Sequence, residues 1–141
     1  MSQPDKYLSK ALELTQANFT LTISTECPEH QLQPVLDLLS EVTLVLNNLE
    51  ARQTGIEFDR KNSESVLRRG MASLNVGTKL TELQLNDGIR SDPRHNALLK
   101  EEATYTAAID NLKNLMALLA SYRESIFRLI SLKTAETRNI K

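Results

Sequence analysis

From residue 94 to residue 141 the sequence contains neither glycine nor proline. Across that stretch Leu98, Tyr105, Ile109, Leu112, Met116, Leu119, Ile126 and Ile130 occupy one seam of alternating three- and four-residue steps. This spacing predicts a single amphipathic helix over about 93–136. At 1.5 Å per residue it would run for roughly 65 Å if unbroken. Glu102 and Arg123 are the two polar residues that fall on its apolar seam. Its start is sharply marked, with Asp92 as N-cap and Pro93 at the first helical position.

Three earlier segments can be read from the same kind of pattern. Tyr7, Leu8, Ala11, Leu12, Thr15 and Phe19 follow helical spacing over about 4–22, with Ser2 and Asp5 as a candidate capping pair. Residues 19–25 alternate apolar and Thr or Ser, which is a strand pattern, but no second convincing strand exists to pair with it. The expectation is a helix that frays into an extended connection through Cys27 and Pro28.

The second helix is expected over about 34–53, opening on Pro34, with Leu32, Val35, Leu39, Val42, Leu46 and Leu49 as its seam. At Gly55 two readings stand. Either the helix runs on at a cost of about 1 kcal/mol, or Thr54 and Glu57 form a new capping box. Polar Arg60 and Ser63 interrupt the seam and favour a break, which gives a third helix over about 57–86. Ser63, Gly70 and Gly77 would line one face of it, where another backbone could approach closely. The alternative is a local irregularity at Gly77. Asn86-Asp87-Gly88 would end this helix.

The fold class expected is therefore all-α. Residues 1–141 would form one antiparallel bundle of three to four helices with a long C-terminal helix. Composition agrees, since Leu dominates the apolar residues and aromatics reach only 4%.

Function is far less constrained. The single cysteine, Cys27, excludes an intrachain disulfide and a zinc site built on several thiolates. The sequence around Met1 shows no basic region followed by an apolar run, so no signal peptide is expected and a reducing, cytoplasmic setting fits. The most apolar stretch, 112–132, contains Arg123, Glu124 and Arg128, so no membrane span is expected. There is no His-Glu-x-x-His, phosphate loop, Gly-x-Ser-x-Gly or Glu-x-x-His pair. No catalytic residue, metal or cofactor is expected.

Charge is uneven. Residues 1–50 carry two Lys against seven acids, and residues 51–141 carry fifteen basic against eleven acidic residues. Arg60, Lys61, Arg68 and Arg69 form the best basic patch, a candidate surface for nucleic acid if the charges are continuous in space. His95, followed by Lys100, resembles the phosphorylated histidine of phosphotransfer four-helix bundles, although here it stands in the first helical turn. The resemblance implies a phosphotransfer module. The bland reading of His95 is a solvent-exposed residue at a helix start.

The strongest functional signal is the stretch 112–132, which is apolar over more than one stripe. Part of it can be covered by neighbouring helices and part can dock another chain. The function expected is a non-enzymatic protein-interaction protein of adaptor, scaffold or export-chaperone type. It would self-associate or hold a partner helix through Leu115, Leu118, Tyr122, Ile126, Phe127 and Leu129.

Overall fold

The computed structural model describes residues 5–17, 26–74 and 81–139. Its elements, in order, are α1 (Lys6–Gln16), α2 (Glu29–Leu74), α3 (Glu82–Arg90) and α4 (Pro93–Asn139). The protein is all-α, with helices packed as in a bundle and no strand among the described residues. Residues 19–25 and Gly77, on which two of the sequence expectations fall, lie outside the described residues.

Local chemistry explains most boundaries. Asp5 caps α1 by accepting a hydrogen bond from the Tyr7 N–H at 2.8 Å. Asp92 caps α4 by accepting from the His95 N–H at 2.9 Å, and Pro93 opens the helix as expected.

The start of α2 differs from the expectation. The N–H groups of His30 and Gln31 donate to the carbonyls of Cys27 and Pro28 at 3.2 and 3.1 Å, so the first turn forms before Pro34. Pro34 thus sits inside the helix, where it forgoes the bond its nitrogen would make to the His30 carbonyl.

The expected break at Gly55 is absent, because α2 runs through it to Leu74. The third segment is cut elsewhere. Thr81 and Gln84 form a capping box, with each side chain accepting from the other's backbone N–H at 3.2 and 3.0 Å. From there α3 runs through Asn86-Asp87-Gly88 rather than stopping at it. Gly88 is helical, and a Cβ there would run into the terminal sulfur and methyl of Met71.

Two compact units divide the chain, and α2 and α4 contribute to both. Residues 1–49 and 108–141 form the first. Its core is Ala11 from α1, Val35, Val42, Val45, Leu46 and Leu49 from α2, and Ile109, Leu112, Leu119 and Ile126 from α4. Lys10 ties α1 to α2 through Glu41 at 2.8 Å. The Glu41 carboxylate, assisted by Glu13, raises the pKa of the Lys10 ammonium above its ordinary value. Lys133 of α4 reaches Glu29 at the start of α2, so the two helices run antiparallel.

Residues 50–107 form the second unit. Its buried apolar residues among those described are Ile56, Ile89 and Tyr105, and polar contacts supply the rest. Gln53 donates to the Thr106 hydroxyl at 2.6 Å, and Arg60 pairs with Glu102. As the α2 number rises the α4 number falls, which again is antiparallel.

Candidate functional site

The eight seam residues of α4 all lie inward or at its margin. Tyr105, Ile109, Leu112, Leu119 and Ile126 are buried, and Leu98, Met116 and Ile130 are half-buried. Apolar residues off that seam remain open to solvent in the first unit. Leu118 is 39% exposed, Phe127 47% and Leu132 56%.

The six residues expected to meet a partner do not share one surface. Ile126 has no exposed area and belongs to the core of its own unit, so it is not available to another chain. Leu118 and Phe127 are nine residues apart, which at 3.6 residues per turn places them on opposite flanks of α4. Leu118, Tyr122, Leu129 and Leu132 follow one another at steps of four, seven and three and share a flank, with Leu115 between them and the core. Tyr122, Leu129 and Leu115 are half-buried. Leu132 joins this flank beyond the six residues expected from the sequence, and it lies off the main seam. Its place fourteen residues after Leu118 was the signal for it.

The basic patch is largely spent on the second unit's own acids. Arg60 is bound to Glu102, and Lys61 to Glu57 at 2.9 Å. Arg68 contacts Glu64 at 3.3 Å, Glu82 at 3.1 Å and the Asn86 side-chain oxygen at 2.9 Å. The Lys61 hydrogen bond lowers the Glu57 carboxyl below its ordinary pKa, and Glu82, with Glu64, holds the Arg68 guanidinium more firmly charged. Arg69 is exposed. A stripe that neutralises phosphates needs cations that are not already matched, and three of these four are matched within the unit.

His95 is not the exposed residue the sequence suggested. It is 5% exposed, and its Nδ1 is buried without a hydrogen-bond partner. Phosphotransfer needs a ring nitrogen open to the phosphodonor, so this burial weighs against a phosphohistidine. His95 sits in the first turn of α4, whose backbone Asp92 caps.

One further group of side chains converges. Cys27 Sγ, a Glu29 carboxylate oxygen and a His30 ring nitrogen all lie within 4.8 Å of one another at the start of α2. Cys27 is half-buried, and Glu29 and His30 are exposed. Hydrogen bonding at the helix start, chiefly from its own backbone N–H and then from Lys133, lowers the Glu29 carboxyl below its ordinary pKa.

No family model, curated protein or solved structure matches this chain. Among the described residues, no helix is long and apolar enough to cross a membrane.

Proposed function

We propose that this chain is a non-enzymatic protein-interaction protein, and that two copies associate through the flank of α4 formed by Leu118, Tyr122, Leu129 and Leu132. The observation that carries this reading is the exposure of Leu118 and Leu132 on the same flank as half-buried Tyr122 and Leu129. Such a row is self-complementary when two helices pack antiparallel, as a twofold dimer requires. It supplies anchors at the three-, four- and seven-residue spacings of helix-to-helix docking. An adaptor or export chaperone acting in the cytoplasm is the wider class into which such a dimer fits.

Magnitudes set how large the contact must be. Covering a fully exposed Leu contributes about 1.5–3 kcal/mol, so covering the remaining surface of Leu118 and Leu132 contributes about 1 kcal/mol each. Two copies therefore gain about 4 kcal/mol from these leucines, against roughly 8 kcal/mol for micromolar affinity. The half-buried neighbours must supply the remainder.

Sedimentation velocity across a wide concentration range tests the proposal. The expected outcome is a dimer at micromolar concentration, weakened at least about tenfold in the double variant Leu118→Gln, Leu132→Gln with helix content unchanged. A monomer mass independent of concentration would overturn it. So would a dimer indifferent to both substitutions.

A further inference from the structure

We infer that Cys27, Glu29 and His30 form a binding site for one divalent transition-metal ion of the zinc type. The inference rests on the approach of a sulfur, an oxygen and a ring nitrogen to within 4.8 Å of one another, in a tetrad Cys27-Pro28-Glu29-His30 whose backbone is already set. Zinc accepts this mixed donor set, and three protein ligands with a water in the fourth position is a common arrangement for it. The requirement for several thiolates applies to closed, cysteine-rich sites and not to this one.

Geometry allows the ion to enter with little rearrangement. With metal–ligand bonds of about 2.0–2.3 Å, tetrahedral ligand atoms stand roughly 3.3–3.6 Å apart. The side chains therefore need to close by at most roughly 1.2–1.5 Å from the 4.8 Å limit. Glu29 and His30 are exposed and can turn to do so. The backbone beneath them is held by buried Pro28 and by the His30 N–H, which donates to the Cys27 carbonyl at 3.2 Å. This bond makes residues 27 and 30 neighbours across one turn.

Electrostatics act in both directions. The helix start carries about half a positive charge, which opposes a cation weakly. Two anionic ligands outweigh it. The main competitor is Lys133, whose ammonium lies 3.4 Å from Glu29 and also donates to the Glu26 carbonyl. Lys133 and the ion compete for the Glu29 carboxylate. The site is therefore coupled to the contact that ties the end of α4 to the start of α2.

Titration of the full-length chain with Co²⁺, with the thiol kept reduced by a phosphine, tests the inference directly. The expected result is a sulfur-to-cobalt charge-transfer band that saturates at one ion per chain and is abolished by added Zn²⁺. Cys27→Ser should remove the band, and both Cys27→Ser and His30→Gln should weaken Zn²⁺ binding at least about tenfold. Lys133→Met should strengthen Zn²⁺ binding several-fold, an effect that binding elsewhere would not show. Circular dichroism of each variant checks that the helices persist. Absence of the band, Zn²⁺ affinity unchanged by both ligand substitutions, or saturation at one ion per two chains would overturn the site.

Discussion

Gly55 lies inside α2, exposed, with no atom outside its own helix turn within 4 Å of the place a Cβ would occupy. Nothing packs there that a methyl group would disturb. The residue therefore carries only the entropic cost of glycine in a helix, about 0.5–1 kcal/mol relative to Ala. Gly55→Ala is expected to raise the thermal midpoint by roughly 2–4 °C, read by circular dichroism melting. A fall in the midpoint would mean that the helix bends or breaks at this residue in solution. Gly70 has the same open surroundings, so the close backbone approach expected along Ser63 and Gly70 is not made at Gly70. Gly88 is different, since the end of the Met71 side chain occupies the space a Cβ would need.

Along the elements, one polar residue from each interrupted seam pairs with one from the other. Arg60 breaks the seam of α2, Glu102 breaks that of α4, and the two side chains bind each other. They are 22% and 23% exposed. Their pairing lies between a surface ion pair, under about 1 kcal/mol, and a buried one, whose rupture costs about 3–5 kcal/mol. Arg60→Ala and Glu102→Ala are each expected to destabilise by about 1–2 kcal/mol, non-additively in the double variant. Urea denaturation of the four proteins of the cycle measures the coupling. Arg60→Leu with Glu102→Leu, which replaces the pair by apolar side chains, is expected to be neutral or stabilising. Additive losses in the alanine cycle would show that the pair contributes no coupling.

Taken as a whole, the molecule is unevenly built. The first unit has an apolar core drawn from three helices, whereas the second, among its described residues, buries Ile56, Ile89 and Tyr105 together with a histidine nitrogen that has no partner. Apolar burial stabilises by about 25 cal/mol per Å², and the partly exposed ion pairs of the second unit replace little of that. Local opening should therefore take less free energy in the second unit. Amides of residues 56–68 and 96–107 are expected to exchange at least about tenfold faster than those of residues 39–49 and 110–126, measured by native-state hydrogen exchange. Uniform protection along α2 and α4 would contradict this.

Periodicity alone was enough to read the helical class, the run of α4, the Asp92-Pro93 boundary and the inward stripe from Val35 to Leu49 and from Tyr105 to Ile126. These depend on local spacing and capping, which a sequence displays directly. The capping box at Thr81 is equally local, but the periodic run expected over 57–86 passes across it. Other features could be settled only in the tertiary structure. A polar residue on a seam signals a break or a paired charge with equal force until its partner is placed, as Glu102 is for Arg60. An apolar stretch shows which side turns inward but not how much of the helix circumference neighbours cover, so Ile126, although on the seam, is counted with Leu118 as a partner contact, and burial separates them. His95 was read as exposed because a first-turn position is often open to solvent, and only packing around that turn buried it.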